Sequence, residues 1–334
     1  MKLKNLFLTV VLGLVLCGVS YAEDKSGKRK IHEPSEIVKI LESSSITYTM
    51  DVLKEPIPLS QSGPILSNEL FVKTTEGGIN KLEKPPLSKE ATEKVTLAEK
   101  AFENKQYEQA LELYRSVQKL EPSYPYVFTL MGDVFFRQGN YKQAKEDFEK
   151  AIQENFIDYQ AHWFLADTLW ALGEEEQAAT EITIAHLLNV NHAGILSRLK
   201  QYRNETGRPW HEWNFNPQYV ISADGEKVTI KSQKEWLGYA MVKAVWKYEP
   251  DYAEKMVGSE YKNQAVSFQG EKEAIASLIA GQPNAYKNIE GIIHDGFINE
   301  MIFYEIVSKQ SPASIVLLPK DDFIKIVSYV NRYH

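Results

Sequence analysis

The 334-residue chain holds a single cysteine, Cys17, and it stands inside the N-terminal apolar run. Cleavage behind that run leaves a chain with no thiol, hence no disulfide and no cysteine chemistry, held by core packing alone. Long apolar runs are also scarce. Leu6 to Val19 is too short to span a bilayer comfortably, and "ASIVLLP" at 313–319 is shorter still, so no transmembrane segment is expected. Clustered cations are missing: the formal charge is −7, and "KSGKRK" at 25–30 is the one notable basic run, read as a solvated linker. Phosphate binding needs grouped Lys and Arg, so a nucleic-acid partner is not expected. There is no G-x-S-x-G, Walker loop, G-x-G-x-x-G or H-E-x-x-H frame. With seven scattered histidines, a zinc site would need several distant ligands; neither metal nor cofactor is expected. A hydrophobic content of 43% with 25% charged residues excludes wholesale disorder, and the length suffices for two domains.

What is present begins with an export signal. Lys2 and Lys4 precede the apolar run, and Ser20-Tyr21-Ala22 offers small residues around a larger one, so residues 1–22 read as a signal peptide with Glu23 as the first mature residue. This implies a periplasmic or secreted protein. "LVLCG" around Cys17 resembles a lipobox, which makes a lipid anchor through Cys17 the alternative, but Leu16 stands where that signal wants a small residue. Residues 23–89 form an N-terminal extension. Pro34 suits a first helical turn, Ile46, Tyr48, Met50 and Val52 alternate as in a strand, and the prolines between 56 and 86 predict an extended linker.

The middle of the chain is periodic. "QYEQALELYRSV", "NYKQAKEDFEKA" and "EEEQAATEITIA" put Ala110, Ala144 and Ala178 at intervals of 34 residues. Around them fall Leu97, Ala98, Ala101, Tyr107, Tyr114 and Pro122; then Met131, Gly132, Phe135, Gly139, Tyr141, Phe148 and Ala151; then Leu165, Ala166, Leu169, Gly173, Ile182 and Ala185. In these residues the segment 90–190 resembles three tetratricopeptide (TPR) repeats, at about 91–124, 125–158 and 159–192. The resemblance implies a helical-hairpin solenoid in which small residues let paired helices approach and bulky ones fill the gap to the next pair. Departures are Lys105 for the turn glycine, Phe156 and Val190 for the closing proline, and Glu175 for an aromatic. "HAGILSRLKQYRNETG" predicts a capping helix with Asn191 as N-cap and Gly207 as stop, closing a domain at 90–207.

From 208 to 334 the repeat is gone. "YVISADGEKVTI" predicts a β-hairpin turning at Asp224-Gly225, and helices are predicted at about 233–248, 251–258, 270–280, 284–308 and 320–332. The fold class is therefore mainly α: a solenoid of about three repeats with a capping helix, then a β-hairpin and a helical C-terminal domain. "EWLGYAMVKAVWKY" is apolar almost all round, which predicts burial.

The resemblance implies that the first helix of each pair lines a concave groove. Here those positions are Glu99, Phe102, Glu103, Tyr126, Thr129, Asp133, Phe136, Arg137, Gln160, Trp163, Asp167 and Trp170, an aromatic and acidic surface. It lacks the Lys and Asn set with which chaperone-tail-binding relatives hold a C-terminal carboxylate. The expected partner is a protein or peptide ligand in this groove, anchored on aromatics. All six tryptophans lie between 163 and 246, so a competing occupant is the C-terminal half of the same chain, in cis. The function this implies is an exported, non-enzymatic interaction module or adaptor of a bacterial envelope. Two other classes stay open: an enzyme with its site in the C-terminal half, with His211, Glu212, His294 and Asp295 as candidates, and an envelope carbohydrate binder using exposed tryptophan.

Overall fold

The computed structural model describes residues 31–58, 66–74, 80–258, 267–282, 285–309, 311 and 313–334. The expected signal peptide, its cleavage point and Cys17 lie outside these residues. In chain order the elements are α1 (Pro34–Ser43), β1 (Thr47–Val52), β2 (Phe71–Thr74), β3 (Asn80–Glu83), α2 (Lys89–Glu103), α3 (Tyr107–Leu120), α4 (Tyr126–Arg137), α5 (Tyr141–Glu154), α6 (Tyr159–Ala171), α7 (Glu175–Leu188) and α8 (Ala193–Glu205). There follow β4 (Tyr219–Asp224), β5 (Lys227–Ser232), a 3-10 turn (Lys234–Trp236), α9 (Leu237–Tyr248), α10 (Tyr252–Val257), α11 (Phe268–Gly281), α12 (Lys287–His294), α13 (Ile298–Ile302), a π turn (Phe303–Ser308), α14 (Ala313–Val316) and α15 (Lys320–Tyr333).

These elements form two units, each discontinuous in sequence. One combines described residues 31–58 with Asn214–Phe303; the other combines residues from 66 to Trp213 with Tyr304–His334. The sequence reading drew contiguous blocks at 23–89, 90–207 and 208–334. The difference arises because the apolar faces of α14 and α15 pack on α7, so the end of the chain belongs to the repeat unit.

In the first unit the predicted hairpin is present, with Gly225 at φ +56° in its turn. It gains a third strand that the sequence did not reveal as its partner: β1 runs parallel to β5, from Thr47 opposite Lys227 to Val52 opposite Ser232. Helix α9 packs on α11, both hairpin strands and α1, which accounts for its nearly all-round apolar sequence. Two carboxylates of α11 are buried beside it. Glu273 accepts from the His32 backbone N–H (2.6 Å), from Tyr252 Oη (3.1 Å) and from Trp246 Nε1. Glu271 takes the Tyr239 hydroxyl and the Lys243 ammonium. Each buried charge is thus matched by several donors, as burial demands. The single helix predicted over 284–308 is broken, since Gly296 at φ +83° separates α12 from α13.

In the second unit, three helix pairs, α2/α3, α4/α5 and α6/α7, stack in order, with α8 against α7. Ala110, Ala144 and Ala178 are fully buried. Gly132 faces Phe148 so closely that a Cβ on it would stand 2.5 Å from the ring. The turns within the pairs carry Lys105, Gly139 and Gly173 at φ +59°, +75° and +79°, so the lysine adopts the left-handed conformation that glycine takes in the other two. Ser88, Asn140 and Asp158 cap their helices through side-chain oxygens. Helix α8 is capped by His192, not by Asn191 as expected: its Nδ1 accepts from the Ile195 N–H at 3.3 Å. Within the stretch predicted as extended linker, β2 and β3 pair antiparallel, with Lys73 and Glu83 joined at 3.0 Å.

Candidate partner-binding groove

The structure sorts the twelve predicted groove residues into three sets with different surroundings. The first set lies at the start of the first helices. The Tyr126 and Thr129 side chains are buried, and Thr129 donates to Asp158 at 2.6 Å. Asn68, from the segment before β2, donates to Tyr126 Oη at 3.0 Å and to Gln160 Oε1 at 3.3 Å. The same segment is held through its backbone. Asn189 donates to the Leu66 carbonyl and accepts from the Leu66 N–H, both at 3.1 Å, and Asn155 donates to the Leu70 carbonyl at 2.8 Å. Asn155 and Asn189 are the C-caps of α5 and α7, and the matching C-cap of α3, Glu121, accepts from the Ser88 N–H at 3.0 Å. Three repeat-equivalent side chains thus tie the N-terminal extension along one edge of the array. The 34-residue spacing of 121, 155 and 189 was visible in sequence, but a polar residue after a helix carries no sign of what it will bind.

The second set is covered by α8. Trp170 stacks flat on Tyr202, with centroids 4.1 Å apart and planes 4° apart. The Tyr202 hydroxyl donates to Asp167 at 2.6 Å, and Arg198 approaches the same carboxylate at 3.2 Å. Trp163 meets His192 edge-on at 5.3 Å and lies under Gly194, and its buried Nε1 has no acceptor among the described residues. Both tryptophans are half-buried. The cap therefore uses the third repeat's groove face much as a further repeat would.

The third set remains open. Glu99, Phe102, Glu103 and Asp133 surround a concavity of about 370 Å³ between the first and second pairs, with Tyr114 and Leu130 completing its lining. Tyr114, from the second helix of a pair, was read only as core and its part in the lining was missed. Arg137 stands at the rim, 3.3 Å from Asp133, and Phe136 packs on Tyr141 at 5.4 Å. Burial raises the Asp133 carboxyl above its ordinary range, with Arg137 pulling the other way. Burial also raises Glu99, helped by the charges of Glu69 and Glu103. The concavity offers carboxylates, an apolar wall and a phenol, groups that can bind a ligand.

The candidate catalytic residues fall in different units. His211 and Glu212 belong to the repeat unit and are exposed, with Glu212 paired to Lys200. His294 and Asp295 belong to the other unit, where the His294 side chain is 89% exposed and its Nδ1 lies 3.2 Å from the Asp295 carboxylate. No group of His, Cys, Asp and Glu that could hold a metal ion occurs among the described residues. No helix among them is long and apolar enough to cross a membrane. Trp210 and Trp213 stack on His334 within the repeat unit, at 4.9 and 5.8 Å, and Trp236 and Trp246 are buried in the sheet unit.

Comparison with known proteins agrees with the repeat architecture. The family described as "Tetratricopeptide repeat" matches residues 129–183, and "TPR repeat" matches 100–139. No curated protein matches the chain. Among solved structures, the first TPR of Spaghetti (RPAP3) bound to an HSP90 peptide is 20% identical, covers 36% of this chain and 95% of its own, and has a TM-score of 0.34. The Sgt2 TPR domain from Aspergillus fumigatus is 17% identical, covers 42% and 93%, and scores 0.35. YrrB, described as a TPR protein with an unusual peptide-binding site, is 18% identical, covers 60% and 91%, and scores 0.32.

Proposed function

We propose that this chain, whose residues 100–183 carry tetratricopeptide repeats, is an exported, non-enzymatic adaptor of a bacterial envelope that takes a partner protein's segment into the open end of its groove. The observation that carries the reading is the concavity bounded by Glu99, Phe102, Glu103, Leu130 and Asp133. It belongs to the surface that repeats of this kind present to ligands, and it is the part of that surface that neither α8 nor the segment around Asn68 fills. Phe102 and Leu130, both half-buried, offer the apolar anchor a docking segment needs. Export is supported by Lys2, Lys4, the apolar run and Ser20-Tyr21-Ala22, with a lipid on Cys17 as the alternative mode of envelope attachment.

A photo-crosslinking amino acid at Leu130, in the full chain expressed in its own envelope, tests the groove. One discrete adduct is expected, abolished by Phe102→Ala. Adducts that arise equally from Lys142, on an exposed second-helix position, would place the partner elsewhere. Mass spectrometry of the exported chain tests the rest: Glu23 as first residue is expected, whereas a diacylated Cys17 would make the protein membrane-anchored.

A further inference from the structure

We infer that the open end of the groove receives a lysine or arginine side chain from its partner, held head-first between Glu99, Glu103 and Asp133 with its stem on Phe102 and Leu130. The inference rests on the groove reading above and narrows it to one ligand chemistry.

Charge balance is the first observation. Three carboxylates line the concavity, and Glu69 lies near enough to act on Glu99. Against them stand Arg137, paired with Asp133, and Lys84, 3.7 Å from Glu69. Among the described residues, neither Glu99 nor Glu103 forms an ion pair or a hydrogen bond. An anionic segment would meet like charges with one engaged arginine to offset them, whereas a cation removes the repulsion already present. In a groove that takes a partner's segment, that cation is a Lys or Arg side chain.

The second observation is independent of charge. Tyr114 is 2% exposed, lines the concavity, and its hydroxyl has no partner among the described residues. A phenol oxygen that reaches the concavity without a protein partner can exchange water for a donor brought by a ligand. Burial, with Glu99 and Asp133 nearby, holds this phenol above its ordinary pKa, so it stays neutral and accepts from an ammonium or guanidinium. Phe102 and Leu130 supply what the rest of such a side chain needs: apolar surface for the methylene stem and a ring face for the cationic head.

The test uses the full chain, immobilised, and a displayed random heptapeptide library, panned in parallel on wild type and on Glu99→Gln/Glu103→Gln. Both positions are exposed, so the double variant keeps the wild-type melting curve as its folding control. Wild type should enrich peptides with Lys or Arg at a fixed position, and the double variant should lose them. Replacing the selected Arg by citrulline should weaken binding by about tenfold or more in fluorescence anisotropy. Tyr114→Phe should weaken the cationic peptide and leave its citrulline form unchanged. Enrichment of acidic peptides, or cationic enrichment equal in both proteins, overturns the inference. Apolar peptides displaced by Phe102→Ala overturn the cation and leave the groove standing. If nothing is enriched on wild type, both readings fall.

Discussion

Gly132 has no room for a methyl group. A Cβ there would meet three atoms of the Phe148 ring at 2.5 to 2.9 Å, and Phe148 is fully buried, so the ring has nowhere to go. Gly132→Ala should therefore cost about 1–3 kcal/mol in urea unfolding, while Lys142→Ala, at an exposed site, should stay within about 0.5 kcal/mol. Equal midpoints would mean that the two helices do not approach as described. His186 makes a different prediction. It is buried on α7, its Nε2 contacts the Tyr304 hydroxyl at 2.8 Å, and burial first, then the charges of His334, Lys309 and Lys200, lowers its pKa to about 3. The unfolded chain takes up this proton near the ordinary histidine value of about 6.5, before the folded chain does. Its stabilising effect is complete above that pH and is lost as pH falls toward 3, at up to about 1.4 kcal/mol per pH unit. His186→Phe should be less stable at neutral pH, because Tyr304 loses its partner, yet should show a shallower loss between pH 6.5 and 4 in denaturant titrations. An unchanged slope would show that another group governs the acid limb.

At the scale of elements, α8 behaves as the missing next helix. Its hold on α6 is concentrated in the Trp170–Tyr202 stack and in the Asp167 carboxylate, which receives both Tyr202 and Arg198. Trp170→Ala should cost about 2–4 kcal/mol and should speed amide exchange in α8 well before α4 or α5. Uniform exchange across the array would instead mean that the cap and the repeats open as one body. The helix pairs themselves were legible because a period of 34 fixes which residues must be small. The first-helix surface could be read from the same register, and it contained the open cavity's Glu99, Phe102, Glu103 and Asp133. What could not be read was the division of that surface. Trp163 and Trp170 carry the same signature whether they face a partner or an adjoining helix, and nothing about Asn155 or Asn189 announces the backbone they bind. The hairpin of β2 and β3 was hidden by flanking prolines, and the parallel pairing of β1 with β5 joins residues about 180 positions apart, beyond any local pattern.

At the scale of the whole molecule, α7 is covered by several elements, α8 among them. It packs on α6 within its pair, and α14 and α15 pack on it as well. Removing Tyr304–His334 would bare His186 and Leu188, both buried in the full chain and neighbours of Tyr304 and of the Ile315–Phe323 stretch. The shortened protein should melt below the intact one and bind an apolar dye, and an unshifted melt would show that the repeats are self-sufficient. The sequence suggested a break near 207 because periodicity stops there, but periodicity reports how a segment repeats, not what finally covers it. The interleaving also imposes a timetable on synthesis. A ribosome emits α1 and β1 first, then the repeats, then the rest of the sheet unit, and only afterwards the stretch that shelters α7. Throughout that interval the nascent array presents an unshielded apolar flank to any chaperone at the exit tunnel, so the order of translation, rather than the stability of the finished protein, sets when this chain is most vulnerable to aggregation.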